Sequence, residues 1–163
     1  MTFEEYVAQR GQSLLRFAYV LTGDSHLAED LTQTALADAY RHWRKVERAG
    51  NRDAYVRRIL VNAHLSWRRR RSSTERPAEA IAQTAIAADP AFAVTARDQT
   101  RWLLNGLAPK ARTVLVLRYY ADLDDTAIAE LMGIRPSTVR ATASRALAAL
   151  RNDGVLDAME ESQ

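Results

Sequence analysis

Cysteine is absent from the chain. Disulfide staples, thiolate nucleophiles and cysteine-ligated zinc are excluded with it. Glycine and proline are scarce, at 6 and 4 of 163 residues, which favours long helices over a turn-rich β architecture. Lysine is confined to Lys45 and Lys110, so arginine carries nearly all the positive charge. No apolar run approaches the roughly 18 residues of a membrane span, so no membrane insertion is expected. The opening MTFEEYVAQR has two early acids and no apolar core, unlike a secretory signal, and the cytoplasm is the expected location. The histidines, His26, His42 and His64, fall in no HExxH or other ligand spacing, and no phosphate-binding GxxxxGK[ST] loop occurs. Glu29 and Asp30 are adjacent, so on a helix they do not face each other as an acid–base pair would. An enzyme is not expected, nor a metal or cofactor.

What the chain does have is a globular apolar content of 47% and an uneven charge. Residues 1–71 hold 13 Lys/Arg against 8 Asp/Glu; residues 97–152 hold 9 against 5. Between them residues 72–96 are weakly acidic, and the tail 153–163 carries four acids and no base. Two basic blocks around a polar joint suggest two small domains, 1–71 and 97–152, with a linker at 72–96 and an acidic tail. Arginine offers a rigid fork of donors for phosphates and base edges, which suits a nucleic-acid surface. High-GC coding would give the same bias.

The periodicity is helical throughout. Phe3, Val7, Leu14, Phe17, Ala18 and Leu21 predict a helix over 3–21. Asp24 or Ser25 can cap a second, running to about Arg44 with Leu27, Leu31, Ala35, Leu36, Ala39 and Trp43 inward. Lys45 to Arg52 reads as a loop, with Asn51 capping a third helix that turns Val56, Ile59, Leu60, Ala63 and Trp67 inward. Pro77 and Pro90 bracket an Ala-rich stretch, Glu79 to Asp89, and a helix over about 91–105 is expected to open the second domain. There Pro109 begins a helix, with Val114, Leu115, Leu117 and Tyr120 on its apolar side. Asp124 caps another over 125–132, Gly133-Ile134 turns, and Pro136 starts a last helix to about Leu150. Two helices joined by a short glycine-containing turn are the pattern of a helix-turn-helix, whose second helix enters the major groove.

On that last helix Val139, Ala143, Ala146, Leu147 and Leu150 read as inward. Arg135, Ser137, Thr138, Arg140, Ala141, Ser144 and Arg145 are left outside. Arg140 or Arg135 can reach guanine edges, Ser137 and Thr138 take lighter roles, and the helix start suits a phosphate. A merely solvated face is the competing reading. In the first domain Arg68 to Arg71 cannot share a buried face, since charge is buried only when paired. They need solvent, a partner or an anion, such as the DNA backbone. Arg57 and Arg58 share a helix with Tyr55 and Trp67, and aromatics beside arginines can stack on unpaired bases; Trp67, like Trp43 and Trp102, also fits a core position.

AEDLTQTALADAYRHW (28–43), NRDAYVRRILVNAHLSWRRRR (51–71) and LAPKARTVLVLRYYADLDDTAIAELMGIRPSTVRATASRALAALR (107–151) resemble, in that order, regions 2.2, 2.3–2.4 and 4.2 of bacterial RNA polymerase sigma factors. The likeness is to the extracytoplasmic-function type, and within it to the actinobacterial SigE family. It implies an all-α fold of two small helical domains and a promoter-specificity factor for core RNA polymerase. Asp30, Gln33 and Asp38 would meet the β′ clamp coiled coil, and the second domain the β flap. The loop Arg48 to Arg52, including Asn51, would hold a base flipped from the −10 element. Arg57, Arg58 and Asn62, continuing to Arg68 and Arg69, would hold the separated strand. The last helix would read promoter DNA at −35. The family also admits an anti-sigma factor as partner. The chain departs from the family pattern at Thr34, Val61, Ser66, Arg135 and Ala141. Two other classes fit the residues: a stand-alone helix-turn-helix regulator, and a helical adaptor whose arginines bind acidic protein.

Overall fold

The computed structural model describes residues 1–74, 104 and 106–152, and the chain divides into two units, Met1–Ile86 and Ala87–Gln163. Every regular element among the described residues is an α-helix. The first unit holds α1 (Phe3–Thr22), α2 (Ser25–Arg41), α3 (Trp43–Arg48) and α4 (Arg52–Thr74). The second holds α5 (Pro109–Tyr119), α6 (Asp125–Met132) and α7 (Pro136–Asn152). The expected helix over 91–105 apart from Leu104, the Glu79–Asp89 stretch, Trp102, most of the linker and the tail 153–163 lie outside the described residues.

α1 starts on a reciprocal cap. Glu5 N–H donates to Thr2 Oγ1 at 3.1 Å, and Thr2 N–H donates to Glu5 Oε2 at 2.9 Å, which satisfies two donors a helix start leaves open. The helix ends where Gly23 takes φ 69° and its N–H reaches Tyr19 O. Asp24 then accepts from Leu27 N–H at 3.1 Å and opens α2. α2 packs against both α1 and α4. Ala28, Ala35 and Ala39 are fully buried along it, and such small side chains let neighbouring helices approach closely. Leu14, Phe17, Ala18 and Leu21 of α1 and Val56, Leu60, Val61 and Leu65 of α4 complete the core. Burying a leucine such as Leu21 or Leu60 stabilises by about 1.5–3 kcal/mol. Around the chain's start Phe3 meets Tyr40 and Trp43 edge-on at 5.1 and 5.7 Å, while Trp43 Nε1 donates to Met1 O at 3.2 Å.

The second helix does not run to Arg44. It stops at Arg41, and a separate turn of helix, α3, fills most of the expected Lys45–Arg52 loop, leaving Ala49–Asn51 between α3 and α4. The break falls at His42, which leaves helical geometry (φ −117°, ψ 29°) and whose Nδ1 sits 3.0 Å from Asp38 O. The chain restarts with Lys45 and Val46 N–H donating to His42 O, and Val46 drops into the core. Asn51 caps α4 as expected, its Oδ1 accepting from Ala54 N–H at 3.0 Å. The buried stripe of α4 is rotated from the expected one. Val61, His64 and Leu65 are inside, while Ile59, Ala63 and Trp67 are only half-buried.

In the second unit, Arg112 to Leu117 are buried without interruption, so α5 is the element the others wrap. A buried guanidinium needs a partner, and Arg112 Nε donates to Leu104 O at 3.0 Å. Asp124 Oδ1 accepts from Ala127 N–H at 2.8 Å and starts α6; Gly133, at φ 67°, ends it with its N–H on Ala129 O. Arg135 O then accepts from Thr138 and Val139 N–H, and Pro136 leads α7. α7 packs on both α5 and α6 through Val139, Ala143, Ala146 and Leu150, as expected, and also through Thr142, with Leu147 half-buried.

Candidate nucleic-acid interface

The outer face of α7 is defined by what the inner face buries. Cβ vectors along a helix repeat every three to four residues, so burying Val139, Ala143, Ala146 and Leu150 turns their intermediate positions outward. Arg135, Ser137, Arg140, Ala141, Ser144 and Arg145 are all exposed, and Thr138 is half-buried at the edge. The structure thus brings the whole predicted set onto one end and one side of one helix. A carboxylate that the sequence reading passed over stands beside it. Asp125 Oδ1 lies 3.7 Å from Arg118 Nε, and Asp125 Oδ2 lies 4.0 Å from Arg140 Nη1. No local spacing could have signalled this, because the two arginines are seven and fifteen residues from Asp125.

The arginines of the first unit are sorted more finely than their run suggested. Arg58, Asn62 and Arg69 are exposed along α4 at helical spacing, with Ser66 between them half-buried. Arg57 turns away and lies over the Phe17 ring of α1, 5.4 Å from its centroid. Burial lowers the pKa of the Arg68 guanidinium from its ordinary value. Arg70 Nη1 donates to Ser66 Oγ at 2.9 Å, and Arg71 lies over Trp67, 5.1 Å from its centroid. His64 stacks on the same indole, so Trp67 supports a layered group at the half-buried edge of α4. Arg48 is exposed in the last turn of α3, Asn51 is exposed, and Arg52 opens α4 half-buried. Arg52 Nε is buried and meets no hydrogen-bond acceptor among the described residues.

On α2, Asp30 and Gln33 are exposed. Asp38 is set apart: it is about 140° around the helix from Gln33 at 100° per residue. Its carboxylate faces Arg41 Nη2 at 3.6 Å and His42 Nδ1 at 3.4 Å. The fully outward line runs instead through Asp30, Gln33, Thr34, Ala37, Tyr40 and Arg41, and Tyr40 in it is 61% exposed. Among the described residues no three His, Asp or Glu side chains are grouped to hold a metal ion, and no helix is long and apolar enough to cross a membrane.

Comparison with known proteins matches both units. Residues 6–74 fit the family described as Sigma-70 region 2, and residues 98–150 fit Sigma-70, region 4. The RNA polymerase sigma-E factor of Streptomyces coelicolor is 38% identical over 157 residues, covering 94% of this chain and 86% of that one. The chain belongs to the sigma-70 family. It is a SigE-like factor of the extracytoplasmic-function group, a sigma factor that binds RNA polymerase and promoter DNA. The sigma-E factor of Streptomyces avermitilis is 37% identical over 153 residues, covering 94% of this chain and 85% of that one. Among solved structures, the sigma factor RpoE of Bartonella quintana, determined with the anti-sigma factor NepR, shares the fold. Its TM-score is 0.62 at 24% identity, over 92% of this chain and 94% of that one.

Proposed function

We propose that this sigma factor divides promoter recognition between its units, at boundaries near residues 1–71, 72–96 and 97–152, with 153–163 an acidic tail. α7 lies in the major groove of the −35 element. Arg140 addresses a guanine, Arg135 and the α7 start hold phosphate, Ser137, Thr138 and Ser144 give secondary contacts, and Arg145 reaches the backbone where the helix leaves the groove. The exposed line Arg58, Asn62, Arg69 of α4 follows the separated strand of the −10 element, with Arg57 and Arg68 at its border. Arg48, Asn51 and Arg52 surround the flipped base; the buried, unmatched Nε of Arg52 supports a polar ligand there.

Asp30 and Gln33 dock on the β′ clamp coiled coil, with Asp38 at the border of that contact, around the helix from Gln33, and the second unit meets the β flap. The protein works in the cytoplasm, where polymerase does. An anti-sigma factor would compete for the same exposed faces. The observation that carries the reading is the division of α7, with Val139, Ala143 and Ala146 sealed against α5 and α6 and four hydroxyl or guanidinium side chains, Arg135, Ser137, Arg140 and Ser144, left outward at its leading half.

Reconstitution with core polymerase and a randomised promoter library tests it. Transcripts should require the chain and select two motifs spaced as −35 and −10 elements. Selection of a duplex motif bound equally well without core polymerase would instead identify a stand-alone regulator.

A further inference from the structure

We infer that Asp125 is a positioning residue that aims Arg140 at a base edge and keeps it off the phosphates. This rests on the reading of α7 as the −35 helix. Three helices converge on this one carboxylate: Arg118 comes from the last turn of α5, Asp125 from the first turn of α6, and Arg140 from the leading half of α7. The carboxylate is 19% exposed, Arg118 34% and Arg140 60%. The anion is thus sheltered while the guanidinium that would act on DNA is open.

The distances decide what this carboxylate can do. At 4.0 Å, Arg140 Nη1 is within Coulombic reach of Asp125 but beyond a hydrogen bond. The donors of Arg140 therefore remain available to a ligand while the charge attraction narrows where the guanidinium dwells. Arg118 Nε stands 3.7 Å from the other oxygen, so the carboxylate is attracted to two cations and its charge is divided between them. An anion at this point also repels phosphate. A bare arginine on a groove-facing helix is drawn to the nearest backbone phosphate, whereas one beside an aspartate gains less there and relatively more from the neutral O6 and N7 acceptors of guanine. Asp125 is thus a specificity device that costs total affinity. Its place at the start of α6 also complements the helix dipole, and the test must separate the two roles.

The test uses holoenzyme and a promoter selected by the wild-type protein, with every single-base-pair variant of its −35 element, over a salt series. Arg140→Ala first locates the base pair that Arg140 reads. Asp125→Asn should then reduce discrimination at that base pair by about 5- to 10-fold and leave the other positions unchanged. It should also steepen the salt dependence by about one counterion, because a compensated positive charge becomes available to phosphate. Asp125→Glu, which keeps the charge, should retain most of the discrimination. In the Arg140→Ala background Asp125→Asn should change no ratio. Ratios between sequences within one variant do not depend on the fraction folded, so a weakened α6 cannot imitate this result. If Arg140→Ala loses discrimination and Asp125→Asn keeps it, or if Asp125→Asn weakens all sequences equally, the positioning role is refuted and the reading of α7 survives. If Arg140→Ala loses none, the base-reading role given to Arg140 fails and the positioning role with it, while a −35 motif still selected by the wild-type protein leaves α7 to its other residues.

Discussion

Replacing glycine by alanine should have opposite effects at two turns that look alike in sequence. Gly133, between α6 and α7, has φ +67°, and an added Cβ there would meet nothing within 4 Å. Gly50, between α3 and α4, also has open space around an added Cβ, without the left-handed backbone. Since sterics with neighbours are nil at both, the difference is purely backbone conformation. Holding alanine in the left-handed region costs about 1–2 kcal/mol. Restricting the unfolded chain returns about 0.4–1 kcal/mol at either site. Gly133→Ala should therefore destabilise by about 1 kcal/mol net, whereas Gly50→Ala should stabilise by about 0.4–1 kcal/mol. Gly133→Asn should recover part of the loss, because asparagine tolerates this region better. Native-state hydrogen exchange on the full chain reads both segments at once. Amides of α6 and α7 that open with their unit should exchange about 5-fold faster in Gly133→Ala, and those of α4 should slow in Gly50→Ala. Binding to −35 duplex at a temperature where the variant is folded should be unchanged, since the same turn is formed. Equal shifts of the same sign at both sites would refute the argument, as would an asparagine variant worse than alanine.

Asp30→Ala combined with Gln33→Ala should weaken binding to core polymerase in a titration while leaving thermal melting within about 0.5 kcal/mol of the parent, as expected of exposed positions; unchanged core affinity would remove this face from the interface. Tyr6 is buried, and burial, then the nearby Asp53 charge and a hydrogen bond to that carboxylate, raise its hydroxyl above the usual tyrosine range. Above its ordinary value of about 10 the unfolded chain loses this proton and the folded one does not, so stability should fall as pH rises through that region. Tyr6→Phe should flatten that part of the fall in a melting series; an unchanged slope would show that Tyr6 is not its source. Limited proteolysis should cut first within residues 72–96, and initial cleavage inside residues 27–43 or 136–150 would contradict that boundary.

What was legible in the sequence was whatever the chain marks locally. Asp124, Gly133 and Pro136 punctuate α6 and α7, and those boundaries follow from them because each residue performs its terminal task within four positions. The break at His42 carries no glycine or proline, and a ring nitrogen beside a carbonyl of the preceding turn leaves no mark in the apolar period, so the period alone runs past it. The same limit hid Thr32, His64, Arg112, Thr113 and Thr142, which are buried although polar. Thr32 Oγ1 and Thr113 Oγ1 donate to the carbonyls of Ala28 and Pro109 one turn back, and that bond makes them admissible inside.

For the candidate site the consequence is sharper. Arginine in this sequence signals a charge but not its employment. Arg112 is spent inside α5, Arg57 and Arg71 lie on aromatic rings, and Arg140 shares Asp125 with Arg118. Arg58, Arg69, Arg135 and Arg145 make no ion pair or ring contact with a described residue and stay exposed. The unengaged ones can be drawn by any phosphate. On the proposed reading of α7, the guanidinium that stands near a carboxylate on that face, Arg140, would gain less from phosphate than its unpaired neighbours and relatively more from a base edge.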